Sequence, residues 1–163
     1  MNPKFIIVSE NDEIIGEKDR EAIRTEDIYR VSALWIKNSK GESLLARRAF
    51  TKSHDPGKWG PAVAGTVESG ETYRSNIVKE AKEELGLVDI DPNEGLKQRT
   101  SGKYNYFGQW YHLTLDRDIT DFKIQKDEVA EIKWFSKEEL IKDLKEKPDD
   151  FLGSMQRYVH LFA

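Results

Sequence analysis

Cysteine is absent from the 163 residues, so the chain can form no disulfide, no thiolate metal site and no cysteine nucleophile. Histidine is scarce: His54, His112 and His160 stand far apart, where packing or surface roles are the ordinary expectation. A basic excess is missing too, because 26 Lys and Arg face 30 Asp and Glu for a net charge of −4. That balance argues against a nucleic-acid polymer as partner. The apolar run near the start, Phe5–Val8, is far too short for a signal peptide or a membrane span, so a cytoplasmic address with no membrane association is expected. What is present is an apolar fraction of 37%, enough for one ordinary core in a chain of this length.

Turn chemistry and hydrophobic period divide the chain into short strands first and helices later. Phe5–Val8 and Ile14–Gly16 flank a polar turn, and Tyr29–Lys37 and Ser43–Arg48 flank Asn38-Ser39-Lys40-Gly41, so two hairpins are expected. Thr51–Gly60 reads as a loop and Pro61–Thr66 as the strand that follows it. Apolar Ile77, Ala81 and Leu85, with Gly86 beyond them, predict a helix over Thr72–Leu85. Leu96–Thr100, Tyr104–Leu115 and Val129–Phe135 read as strands. Ser136 with Glu139 forms a capping box that starts a helix near Lys137, and Asp149–Ala163 reads as a last helix. The order predicts an α/β (α+β) domain, a mixed sheet flanked by helices.

Glu80, Glu83 and Glu84 project from one side of the predicted helix beside its apolar stripe, since successive residues advance by about 100°. Three glutamates on a helix are ordinarily a solvated face. Clustered like charges otherwise need a cation, and oxygen ligands without His or Cys favour Mg²⁺ or Mn²⁺. The spacing decides between the two. Gly65 is followed after five residues by Glu71 and, after seven more, by Lys79-Glu80-Ala81-Lys82-Glu83-Glu84-Leu85-Gly86-Leu87. This segment resembles the Nudix box, differing only in having Lys79 where the family places arginine. Leu44–Arg48, Pro56–Trp59 and Glu128–Ser136 are similar to the family's approach to and exit from the box, so the likeness spans roughly Tyr29–Leu144.

The resemblance implies a Nudix fold, an α/β/α sandwich, with an N-terminal hairpin extension over 1–28, the Nudix domain over 29–144 and a C-terminal helix over 145–163 packed on it. It implies a metal-dependent hydrolase in which water attacks phosphorus in the pyrophosphate of a small molecule, a nucleoside diphosphate-linked or related compound. Carried over position by position, Glu80 and Glu84 are the principal metal ligands, Glu83 completes the set, and Gly65 adds a backbone oxygen. Glu71 orients the ligands. Lys79 keeps the charge of the family's arginine without its bidentate fork. Arg47, Arg48 and Lys52 lie near the substrate, where they would hold the non-reacting phosphate. Asp127, Glu128 and Glu131 stand where family members often carry an extra carboxylate, a ligand or base, and of the three Glu128 is the choice. Trp59 belongs with the substrate side, although aromatic strand residues such as Trp59, Tyr104, Tyr106, Phe107 and Trp110 are more often core. The family admits homodimers, and no feature of this sequence selects that state.

The hairpin with Asp12 and Arg20, and the stretch Arg48–Lys52, are more particularly similar to the subgroup of isopentenyl-diphosphate isomerase and its hydrolase-like relatives. Isomerase chemistry is therefore one competing expectation. That enzyme moves protons to and from carbon with a cysteine and a glutamate, whose places here fall on Ala64 and Gln109. Neither side chain exchanges a proton with carbon. A catalytically silent ligand-sensing module is the other alternative, and the intact set Glu71, Glu80, Glu83 and Glu84 argues against it.

Overall fold

A computed structural model describes residues 2–163. Its sheet is organised around one long strand, β3 (Ile28–Lys37), whose run of β-branched and aromatic residues suits a position buried on both faces. One edge of β3 pairs in parallel with β8 (Tyr106–Thr114) over its whole length, from Tyr29↔Tyr106 to Lys37↔Thr114. The other edge is shared by three antiparallel partners in turn. They are β1 (Lys4–Val8) at Tyr29 and Ile28, β6 (Val63–Thr66) from Val31 to Leu34, and β4 (Ser43–Arg48) at Ile36 and Lys37. β2 (Ile14–Asp19) and β7 (Asn93–Thr100) extend the sheet beyond β1 and β8, while β5 (Trp59–Pro61) and β9 (Val129–Phe135) flank β4. This is a mixed α+β sandwich.

Alternation along β3 feeds two cores. Leu34 and Ile36 face α1 (Tyr73–Leu85) and pack with Ile77, Ala81 and Leu85. Ala33 and Trp35 face α2 (Lys137–Glu146) and α3 (Met155–Phe162), packing with Trp110, Leu140, Met155 and Tyr158. Leu34, Ile36, Ile77 and Leu85 are all fully buried, and each contributes roughly 1.5–3 kcal/mol by leaving water. Among the described residues, no helix is long and apolar enough to cross a membrane.

β2 and β7 run longer than the sequence reading, to Asp19 and from Asn93, and three further boundaries differ from it for identifiable reasons. Trp59 and Gly60 are strand residues, because the segment read as a single strand from Pro61 changes partner at Ala62: β5 pairs with β4, and β6 pairs with β3. Tyr104 lies in the turn before β8 rather than in it. The last helix begins at Met155, not Asp149, because Phe151 bridges to Trp59 and the Leu152 amide donates to the Trp59 carbonyl. The chain is extended there, and Gly153 follows before the helix can start.

Candidate active site

α1 is fixed at both ends. Thr72 caps it by accepting from the Ser75 amide at 3.0 Å, and the Ser75 hydroxyl accepts from the Thr72 amide at 2.9 Å. Gly86 closes the other end at φ 69°, a left-handed conformation suited to glycine. Ile77, Ala81 and Leu85 sink into the core at four-residue intervals, so Glu80 and Glu84, each one position earlier, lie at the margin of the buried stripe. They are half-buried, whereas Glu83 turns out to solvent. Burial of the stripe thus draws two of the three carboxylates out of bulk water.

Gly65 on β6 faces Glu80. A Cβ there would stand 2.6 Å from Glu80 Cγ and 2.8 Å from its Cδ, so only glycine allows the strand backbone so close to the carboxylate arm. Asn76, buried on α1, ties the loop to the helix. It accepts from the Ser32 hydroxyl on β3 and donates to the Thr66 carbonyl at 3.1 Å and to Glu71 at 2.8 Å. Glu71 also accepts from the Glu68 amide at 2.9 Å. Lys79 meets three carboxylates, Glu71 at 2.6 Å, Glu68 at 3.3 Å and Glu80 at 3.7 Å. Burial alone would pull the Lys79 ammonium down, but its ion pairs with Glu71 and Glu68 prevail and hold it above the usual lysine range. Burial pushes Glu71 up, and the donors Lys79, Glu68 and Asn76 bring it below its ordinary value.

Glu80 and Glu84 behave oppositely. Burial, assisted by Glu83, Glu68 and Glu71 and opposed by Lys79, pushes Glu80 up to about 7. Burial and the charges of Glu80 and Glu128, opposed by Lys52 and Arg48, push Glu84 up to about 9. The second charge comes from the opposite wall, on the connection from β8 to β9. Within it the Lys123 amide donates to the Leu85 carbonyl at 3.0 Å and the Gln125 amide to the Glu84 carbonyl at 2.9 Å, closing the end of α1. A tight turn follows, with the Glu128 and Val129 amides both donating to Gln125, and the Ala49 amide donates to the Glu128 carbonyl at 2.9 Å. Glu128 is thereby held between α1 and the end of β4, where its carboxylate accepts from Lys52 at 2.5 Å.

A hard divalent cation suits this donor set, because it would relieve the repulsion that drives Glu80 and Glu84 toward the neutral form. Among the described residues, no three His, Asp or Glu side chains already converge at cage spacing.

The basic residues divide by what they touch. Arg47 donates to the Gly57 carbonyl at 2.8 Å and lies against the Phe50 and Trp59 rings, so it clamps the loop between β4 and β5. Arg48 donates to the His54 carbonyl at 3.0 Å, and its charge opposes the upward shift of Glu84. Lys52 faces Glu128. Trp59, placed by sequence with the substrate side, is instead buried edge-on to Phe135 at 5.2 Å. Its ring is needed to seal the core beneath α2 and α3. Trp110 joins the same core and Phe107 the opposite one. Tyr104 and Tyr106 remain half-buried. Tyr104 donates to Asp55 at 3.0 Å, joining the loop after β7 to the loop after β4, and Tyr106 lies 5.7 Å from Tyr29.

Sequence reading missed Asn76 and Glu68, since neither a buried asparagine nor an acidic loop residue announces its partners. It noted Asp12 without its role. Asp12, at φ 59° in the first hairpin, accepts from Arg30 at 2.7 Å, Lys97 at 2.7 Å and Tyr73, the first residue of α1, at 2.9 Å.

Comparison with known proteins agrees with this geometry. The NUDIX domain model matches residues 28–154. An uncharacterised Nudix hydrolase of Listeria monocytogenes is 30% identical over 141 residues, covering 82% of this chain and 80% of that protein. The uncharacterised Nudix hydrolase YfcD of Escherichia coli is 27% identical over 154 residues, covering 91% and 82%. The crystal structure of DR0079 from Deinococcus radiodurans superposes with a TM-score of 0.83 at 25% identity over 98% of both chains. Matched by the NUDIX domain model over most of its length and sharing its fold and sequence with Nudix hydrolases, the chain belongs to the Nudix hydrolase family.

Proposed function

We propose that the protein is a divalent-metal-dependent pyrophosphohydrolase acting on a small nucleoside diphosphate-linked or related compound. The observation that carries this reading is the pair Glu80 and Glu84, half-buried one turn apart on α1 and both displaced toward the neutral form, with the Glu80 arm close against Gly65. Glu80 and Glu84 would hold Mg²⁺ or Mn²⁺, with Glu83 at the solvent rim and the Gly65 region offering backbone oxygen. When bound, the ion supplies charge neutralisation at the phosphates and a lowered pKa for the attacking water. Lys79, Glu71 and Asn76 keep the helix carboxylates in register with β6. Arg48 and Lys52 stand where they can hold the non-reacting phosphate, and Glu128 faces the same region as a further ligand or as the acceptor of the water's proton.

Isomerisation is the weaker reading. Ala64 has no titratable group, and Gln109 is buried, its amide donating to the Gly95 carbonyl at 2.9 Å and the Trp110 carbonyl at 3.0 Å. There it satisfies the irregular β7–β8 pairing instead of facing a substrate. The test is a panel of nucleoside diphosphates and triphosphates, dinucleoside polyphosphates, nucleotide sugars and isopentenyl diphosphate, titrated with Mg²⁺ and Mn²⁺. Metal-dependent release of phosphate or monophosphate from at least one compound is expected. Deuterium entering the isoprenoid skeleton in heavy water above the no-enzyme rate would overturn the assignment.

A further inference from the structure

We propose that Lys52 is a built-in competitor of the metal ion: its ammonium neutralises Glu128 when no cation is bound and is released from that carboxylate when a divalent ion enters. The inference rests on the metal-dependent reading above and adds to it a coupling between cation entry and the loop that borders the substrate.

The geometry for competition is specific. Lys52 Nζ lies 2.5 Å from Glu128 Oε2, and both side chains are partly shielded, at 21% and 36% exposure. Glu128 cannot retreat, because its turn is tied to the Glu84 carbonyl through Gln125 and to β4 through Ala49. The Gln125 amide donates to the Glu84 carbonyl, the Glu128 amide donates to the Gln125 carbonyl, and Lys52 pairs with Glu128, so the three residues are close neighbours. Among the described residues the Lys52 ammonium has no side-chain partner besides Glu128, and its stem is flexible. The loop that carries it is braced elsewhere, by Arg47 on Gly57, Arg48 on His54 and Tyr104 on Asp55, so rotation of the lysine stem leaves the backbone in place. A divalent ion beside Glu84 attracts Glu128 more strongly than one ammonium does and repels that ammonium. The displaced lysine then points its charge into a region where an anionic substrate arrives. Because linkage is reciprocal, the lysine must weaken metal binding by the same factor by which metal weakens the ion pair.

The experiment is calorimetric titration of the full chain with Mn²⁺ and with Mg²⁺, in the absence of substrate. Lys52→Met removes the competitor and is expected to tighten binding about two- to fivefold, the range a partly exposed ion pair commands. Lys52→Arg keeps the pair and should bind as the wild type does. Lys58→Met removes an equal charge from the same loop, where Lys58 faces Asp55 at 4.0 Å, and should change affinity little. In a Glu128→Gln background the Lys52→Met gain should vanish. A second readout is acetylation of lysines followed by mass spectrometry: Mg²⁺ should speed labelling of Lys52 and leave Lys58 unchanged. Equal tightening by Lys52→Met and Lys58→Met, unchanged or weaker binding in Lys52→Met, or a gain that survives Glu128→Gln would overturn the competition while leaving the metal site intact. A wild-type chain that binds neither ion would overturn the metal-dependent reading itself.

Discussion

The two walls of the site are built by different means. The box wall sits on a capped helix whose apolar stripe is fully buried, and its carboxylates are cross-braced by Lys79, Asn76 and the Gly65 backbone. The facing wall is made of loops: the connection from β8 to β9 that carries Glu128, the segment between β4 and β5, and the turn before β8, which meets that segment where Tyr104 donates to Asp55. Rigid elements hold the groups whose spacing the chemistry dictates, and loops hold the groups that select among substrates. Substitutions on the first wall should therefore abolish turnover, and those on the second should shift affinity.

The largest effect is expected for Glu84→Gln, which keeps shape and removes a central anionic ligand: turnover should fall about a hundredfold or more in a steady-state assay with saturating Mg²⁺. Near-wild-type turnover would erase the contrast between the walls. Gly65→Ala comes next. Its methyl group would displace Glu80, and a roughly tenfold or greater loss of kcat is expected in a protein whose circular dichroism is unchanged.

The same contrast predicts a pH dependence of stability in chelator. Carboxyls raised in the folded state stabilise it below their ordinary value of 4.5, and that contribution is lost as pH rises through about 7 for Glu80 and about 9 for Glu84. The metal-free melting temperature should accordingly decline from pH 5 to pH 9, and Mg²⁺ should flatten the decline. Glu84→Gln should melt above the wild type at pH 9 in chelator, a stabilised protein that has lost its activity. A wild-type curve that rises over this range would contradict the stated electrostatics. The smallest effect belongs to the loop wall. Tyr104→Phe removes a hydrogen bond worth about 0.5–1.5 kcal/mol, so KM should rise a few-fold with kcat nearly unchanged. A drop in kcat with constant KM would place Tyr104 with the chemistry instead.

The same division explains what could be read from the sequence. The box was legible in two ways: Gly65 and Glu71, outside the helix, were legible only through the resemblance to the Nudix box, while helical geometry turns the spacing of Lys79, Glu80, Glu83 and Glu84 into position. Thr72–Leu85 and its closing Gly86 were legible for the same reason. Which glutamate is solvent-facing was not, since that depends on how deeply Ile77, Ala81 and Leu85 sink beneath β3. Trp59 was misplaced because β5 is only three residues long and its partner, Phe135, is 76 residues away. The late start of α3 has a similar origin in the Phe151–Trp59 bridge. Asn76 and Asp12 act across distances that carry no periodic signal.

The connection from β8 to β9 has two parts with unequal freedom to change length. Up to Asp121 it runs over the surface, held at Asp116 by Ser39 and at the Arg117 carbonyl by Trp134, so residues added between Arg117 and Asp121 would enlarge a solvent loop. From Lys123 onward each peptide is counted: Lys123 and Gln125 close the end of α1, and the next few residues must arrive at Ala49 with Glu128 facing inward. One residue inserted there would rotate the carboxylate away or unseat the helix end. Related chains can therefore be expected to vary in length before Phe122 and to keep a constant count from Lys123 to Val129, a gap rule that sequence alignment alone can check.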